Sequence, residues 1–339
     1  MAKRKLNRRQ QWRIDKIQQE RRQRAERRQT GVSEDAINAL GPEEDGVVVA
    51  NFGASVEIED REGKVLRCLL RQNLPQLVVG DRVVWQRADE SGVVIAMQPR
   101  RSELARPDAA GNLRPVAANI DQILVVAAPA PAYSPEMIDQ YLAAAELTGI
   151  APVLVFNKID LVDDNNRKAV DKLLSSYHKL GYTVLSASTK VSHGMDELLA
   201  RLKGKTSVFV GQSGVGKSSL VQSLLPQQQI GVGELSTQSG LGQHTTSTSR
   251  LYHLPGGGEI IDSPGVREFR LWQMEPSELI RGFREFASYL GQCKFRDCTH
   301  EHEPGCALRE AVERGDIEAR RLASFRRIAA QQSQYETNY

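Results

Sequence analysis

Gly211-Gln212-Ser213-Gly214-Val215-Gly216-Lys217-Ser218 decides how this chain is read. An apolar, strand-like stretch (206–210) runs into it, and a helix-compatible stretch (217–225) leaves it. Glycines in such a turn let backbone N–H groups converge on phosphate oxygens, and the helix N-terminus adds partial positive charge. The pattern is a phosphate-binding loop. Lys217 is set to reach the β- and γ-phosphates, Ser218 to ligate Mg²⁺, and Ser219 to complete the binding stretch.

About fifty residues earlier, also behind an apolar run, stands Asn157-Lys158-Ile159-Asp160. An aspartate there accepts two hydrogen bonds from guanine N1–H and the N2 amine, a pair that adenine does not offer. Asn157 supports the loop and Lys158 covers the ring with its stem. The run also argues against a phosphate-loop kinase. Ser186-Ala187-Ser188 follows the next strand-like run and suits backbone contacts to guanine O6. Asp262-Ser263-Pro264-Gly265 follows residues 259–261; Asp262 is expected to hold Mg²⁺ through water and Gly265 to meet the γ-phosphate. Between them, Gly242-Gln243-His244-Thr245-Thr246 supplies the threonine that senses γ-phosphate and magnesium. Thr245 and Thr246 both fit, with Thr246 assigned to magnesium. Val266 stands where many GTPases place a water-orienting glutamine, and valine cannot hydrogen-bond to water. His244 is therefore the catalytic candidate, against a reading as a solvated loop residue.

The base reader precedes the phosphate loop, the reverse of the usual GTPase order. In a parallel α/β sheet every ligand loop leaves the carboxyl end of a strand, so circular permutation preserves the site. The surrounding pattern agrees. Strand-like runs at 123–127, 152–156, 183–185 and 206–210 alternate with helical stretches at 135–148, 166–180, 195–202 and 217–225. Near-continuous apolar strands between helices indicate a parallel sheet covered on both faces.

Five short β-branched runs lie upstream, at 47–50, 55–58, 65–70, 83–85 and 93–97. That count in about fifty residues predicts a small β-barrel, either an OB-fold or an SH3-like one. Residues 98–120, rich in proline and arginine, read as a basic linker.

The first 28 residues carry twelve basic and three acidic side chains, a net +9, which leaves the rest at −6 against +3 overall. A basic arm on an acidic body points to a polyanion partner. With 40% hydrophobic and 26% charged residues, and no long apolar run, neither a membrane span nor a secretory leader is expected. A cytoplasmic protein is the expectation.

Near the C-terminus, Cys293-x4-Cys298-x-His300-x5-Cys306 offers three thiols and an imidazole, a set that suits tetrahedral, structural Zn²⁺. His302 competes with His300, and a redox or disulfide role is the alternative. Beyond it, Leu308, Val312, Leu322, Phe325 and Ile328 form an apolar stripe, while Arg320, Arg321, Arg326 and Arg327 read as a solvated basic face.

Together the basic arm, the barrel, the inverted motif series and the cysteine cluster resemble the RsgA (YjeQ/EngC) family of circularly permuted GTPases. The resemblance spans nearly the whole chain. It implies a basic, disordered arm and linker over 1–45, an RNA-binding OB-fold over 46–102, a permuted P-loop GTPase domain over 103–274 and a helical zinc-binding domain over 275–339. It further implies a monomeric, cytoplasmic GTPase that binds the 30S ribosomal subunit and 16S rRNA, assists late subunit maturation, and hydrolyses GTP with stimulation by the particle. His244 is the position that matches the family's proposed catalytic histidine.

Overall fold

The structure, a computed structural model, describes residues 40–71, 74–89, 91–108, 111–226, 249–263, 266 and 275–336. The basic arm of the first 28 residues lies outside the described residues.

Strands β1 (Glu43–Asn51), β2 (Ser55–Glu59), β3 (Val65–Leu70), β4 (Arg82–Arg87) and β5 (Gly92–Met97) close a barrel in the order β1-β2-β3-β5-β4, with β4 returning to β1. β3 and β5 run parallel, and the other pairings are antiparallel. This five-stranded closed barrel fits the OB-fold reading. Alternation fills its interior with Val48, Val56, Ile58, Cys68, Trp85 and Val94, all fully buried. Burial pushes the Cys68 thiol up to about 12, so it packs as a small apolar group.

The stretch expected as a linker is instead a hairpin of β6 (Glu103–Pro107) and β7 (Leu113–Ala118). Its prolines and arginines hid the alternation, but Leu104, Ala117 and Ala118 are fully buried. Pro115 sits at a register irregularity opposite Ala105, where a proline can be tolerated.

The nucleotide-binding sheet follows: β8 (Gln122–Ala127), β9 (Ala151–Phe156), β10 (Thr183–Ser186), β11 (Thr206–Val210), β12 (Ser249–His253) and β13 (Glu259–Asp262). Their order is β10-β9-β8-β11-β13-β12, parallel throughout except for antiparallel β12. Strand β8 shows why it must be central. Ile123, Val125 and Ala127 enter one buried cluster while Leu124 and Val126 enter another on the opposite face. Helices α1 (Pro135–Thr148), α2 (Arg167–Lys179), α3 (Asp196–Leu202) and α4 (Lys217–Leu224) cover those faces. The start and stop of α1 are locally coded. The Ser134 side chain caps Met137 N, Pro135 opens the helix, and Gly149 closes it at φ 72°.

Strand β12 also pairs antiparallel with β1, Ala50 opposite Arg250 and Asn51 opposite Ser249, so barrel and nucleotide-binding sheet are one continuous sheet. The C-terminal part comprises α5 (Pro276–Leu279), two 3-10 segments (Ile280–Gly282 and Arg284–Tyr289), α6 (Ala307–Arg314) and α7 (Ala319–Glu336). Phe283 and Phe286 stack at 4.9 Å, with Phe325 of α7 edge-on to both at 5.7 Å.

Arg321 departs from the expected solvated face, since it is 1% exposed. Its guanidinium donates to Asp139 of α1 at 2.6 Å and to both Glu285 carboxylate oxygens at 2.6 and 3.1 Å. Arg320 and the Tyr177 hydroxyl join at Asp139, at 3.0 and 2.5 Å. A helical period brought Arg321 round to the face that docks on α1, where two carboxylates offset its desolvation. Among the described residues, no helix is long and apolar enough to cross a membrane.

Candidate nucleotide site and metal centre

Five fully buried or nearly buried residues of β11 deliver the chain to Gly211, whose φ of 137° is open to glycine. A Cβ there would lie 2.3 Å from the Val126 carbonyl oxygen on the neighbouring strand. Val215 turns inward and is 2% exposed, anchoring the loop. Lys217 Nζ folds over the loop and donates to the Gly211 and Gln212 carbonyls at 2.6 and 2.8 Å. Ser213 and Gly214 form the exposed rim, and Ser219 faces outward on the first turn of α4.

The two inverted motifs meet here. Asn157, 3% exposed at the end of β9, donates from Nδ2 to the Val215 carbonyl at 2.9 Å. Lys158 adopts φ 58°, a left-handed conformation uncommon outside glycine, and its Nζ donates to the Ala130 and Gly214 carbonyls at 2.7 and 2.8 Å. A Cβ at Gly216 would stand 2.4 Å from Asn157 Nδ2, so the glycine makes room for the other motif. Ile159 and Asp160 open a 3-10 turn, and Ile159 N–H reaches the Ala187 carbonyl at 3.3 Å.

Asp160 has a partner that spacing alone did not assign. Ser188, 1% exposed, donates its hydroxyl to Asp160 Oδ1 at 2.5 Å while accepting the Lys190 N–H at 3.0 Å. That acceptance orients the Ser188 proton toward the carboxylate. The neighbouring amides are committed within the fold: Ser186 N–H points to Glu197 at 3.4 Å, and Ala187 N–H to the Phe156 carbonyl at 2.9 Å.

Across the loop, Ser218 and Asp262 line one small cleft together with Lys217, Phe209, Val221, Ile260 and Ile261. A hydroxyl and a carboxylate beside a phosphate-loop lysine are oxygen donors of the kind Mg²⁺ takes, so the residues fit that ion. Val266 is 1% exposed within the main core cluster, so its side chain is not presented to water. His244, Thr245, Thr246 and Gly265 lie outside the described residues.

In the C-terminal part, Cys293, Cys298, His300 and Cys306 bring their ligand atoms within 4.8 Å of one another. His300 Nδ1 lies 3.5, 3.6 and 3.4 Å from the three sulfurs in turn. Burial holds the His300 imidazole below its ordinary value, which favours the neutral, ligating form. His302 does not compete, its side chain being 94% exposed. Glu303 shapes the loop, accepting from Thr299 N–H and hydroxyl at 2.6 Å and from the Glu301 and His302 amides at 3.0 and 3.1 Å. Those bonds, led by the Thr299 hydroxyl, hold its carboxyl well below the usual range. Spacing could not reveal this brace, because any exposed acid near the cluster looks alike in sequence.

A phosphate loop and a guanine-reader motif, in inverted order yet on one sheet edge, define a circularly permuted P-loop GTPase. Comparison with known proteins agrees. The family model for the RsgA GTPase matches residues 97–272. The chain is 54% identical over 341 aligned residues to the small ribosomal subunit biogenesis GTPase RsgA of Pseudomonas aeruginosa, covering 100% of both chains. It is 54% identical to the protein of that name from Azotobacter vinelandii, covering 97% of this chain and 98% of the relative. The crystal structure of YjeQ from Thermotoga maritima superposes with a TM-score of 0.70 at 35% identity, over 86% of this chain and 99% of that one. That of YloQ, a circularly permuted GTPase, gives 0.69 at 27% identity, over 88% and 98%. The chain belongs to the RsgA GTPase family and is an enzyme that hydrolyses GTP.

Proposed function

We propose that this GTPase assists late maturation of the small ribosomal subunit, binding the 30S particle and 16S rRNA and hydrolysing GTP when the particle stimulates it. The observation that carries the nucleotide half is the docking of Asn157 and Lys158 on the Val215 and Gly214 carbonyls, which supports one shared guanine and phosphate site. The ribosomal half is supported by the names of the relatives and by the twelve basic residues of the first 28.

In this reading Asn157, Lys158, Ile159 and Asp160 hold guanine, with Ser186 and Ala187 lining the base. The stretch from Gly211 to Ser219 holds the phosphates, with Thr245, Thr246 and Gly265 on the γ-phosphate side. Ser218, Thr246 and, through water, Asp262 serve Mg²⁺, which when bound neutralises charge developing between the β- and γ-phosphates. His244 acts on the attacking water. Cys293, Cys298, His300 and Cys306 hold one structural Zn²⁺, which supplies no chemistry to hydrolysis. The protein works as a cytoplasmic monomer, with the barrel over 46–102 and the basic arm on rRNA, and the zinc domain from 275 onward responding to nucleotide state.

GTP turnover with and without purified 30S subunits tests the reading. Stimulation is expected; normal GTP binding with unstimulated turnover would sink it. His244→Ala is expected to abolish most turnover while GTP affinity stays near wild type. Asp160→Asn is expected to move preference from GTP toward xanthosine triphosphate.

A further inference from the structure

Glu57 of β2, Ala50 of β1, Arg250 of β12 and Asp262 of β13 stand in one cross-strand row. Ala50 is the register partner of both Glu57 and Arg250, and Arg250 is the register partner of Asp262. Opposed residues of antiparallel strands share a sheet face, with Cβ atoms about 4.5–5.5 Å apart. Arg250 therefore stands between two acids, Asp262 beside it and Glu57 one strand away. Its guanidinium takes the farther one, donating from Nη2 to Glu57 Oε2 at 3.0 Å. The reach is open because the intervening residue, Ala50, is a methyl group and fully buried.

We propose that Glu57 is a positioning residue for the magnesium side of the nucleotide site: it holds Arg250 toward the barrel, so that the guanidinium does not compete with the cation for Asp262. Guanidinium and Mg²⁺ both seek carboxylate oxygens, and a row neighbour is within reach of an arginine stem. The proposal rests on the reading of Asp262 as a magnesium-side residue. It gives the barrel a direct electrostatic effect on the GTPase site through one side chain. Removing Glu57 does not undo the junction, because the β1–β12 ladder remains and His253 Nε2 lies 2.6 Å from Glu59 Oε2 further along.

The test uses the full chain and a fluorescent GDP analogue, with binding followed during titration with MgCl₂. Glu57→Gln is expected to raise the half-saturating Mg²⁺ concentration about threefold, the scale of a part-exposed ion pair, with metal-free nucleotide affinity unchanged. Adding Arg250→Gln to Glu57→Gln removes the competitor and is expected to restore the wild-type half-point. Wild-type magnesium dependence in Glu57→Gln overturns the proposal. So does a double variant no better than the single, since the effect would then come from the packing of the junction. Asp262→Asn is the control: if it leaves the magnesium dependence intact, the reading of Asp262 fails and this inference with it. If Asp262→Asn shifts the half-point and Glu57→Gln does not, only the role of Glu57 fails.

Discussion

On the barrel side the GTPase sheet is continued by backbone. Strand β12 pairs with β1 at two residues, and the side-chain contacts that reinforce the ladder, the Arg250–Glu57 ion pair and the His253–Glu59 hydrogen bond, are partly exposed. On the C-terminal side no strand crosses among the described residues; Gly282 lets the backbone approach Ala143 closely, and side chains supply the polar contacts. Arg321 joins Asp139 to Glu285 at 1% exposure, beside the packed rings of Phe283, Phe286 and Phe325. A backbone ladder accepts almost any side chains at its paired positions. A buried charge network accepts very few, because removing one member leaves the others desolvated and unpaired. The paired positions of the β1–β12 ladder should therefore tolerate substitution, and the buried charge network should not.

Metal removal strains that contrast most. If Zn²⁺ organises the loop between Cys293 and Cys306, a strong chelator or Cys306→Ala should unfold the C-terminal part, because binding of a structural zinc ion contributes on the order of 10 kcal/mol to folding. Limited proteolysis should then cut beyond residue 275 while the barrel and nucleotide site persist. Loss of all three parts together would show that the C-terminal junction is shared with the global fold. Next in size, Arg321→Ala should lower stability by about 3–5 kcal/mol in denaturant melts. Arg321→Met with Glu285→Leu should recover part of it, since Asp139 keeps Arg320 and the Tyr177 hydroxyl as partners and the two replaced positions need none.

The barrel junction also has an intolerant point, and it sharpens the comparison. Gly80 has φ 90°, and a Cβ would lie 2.2 Å from the Ala118 carbonyl and 3.0 Å from Ile261 Cδ1. The Gly80 carbonyl meanwhile accepts from Asn119 Nδ2 at 2.8 Å. Gly80→Ala should cost about 1–3 kcal/mol through strain at the backbone contact. Smallest of all, Glu59→Gln should change stability by less than about 1 kcal/mol, as exposed pairs do. A larger loss would mean that the ladder depends on its flanking side chains after all.

Much of the nucleotide site was legible because its chemistry is local. Glycine-rich turns between apolar runs, Lys217-Ser218 at a helix start and Asn157 to Asp160 behind a strand are each readable within eight residues. The barrel strands and α1 were legible for the same reason, by alternation and by caps at Ser134 and Gly149. The β6–β7 hairpin was not, because Pro107 and Pro115 masked its alternation and only burial of Leu104 and Ala117 reveals it. Arg321 was misread because a charged residue on an amphipathic helix is solvated unless another helix brings it acids, and Asp139 lies 182 residues away in sequence.

By itself, the sequence determined the nucleotide class, the permuted α/β sheet, the barrel and the four metal-ligand candidates, since each depends on residue type and short-range spacing. Only the tertiary structure decided which partners those groups take. It set Asn157 against Val215, the Ser188 hydroxyl on Asp160, His300 over His302, and Arg250 toward Glu57 rather than its nearer row neighbour. The physical reason is that hydrogen bonds and ion pairs act over a few ångströms, and only folding brings residues far apart in the chain within that range.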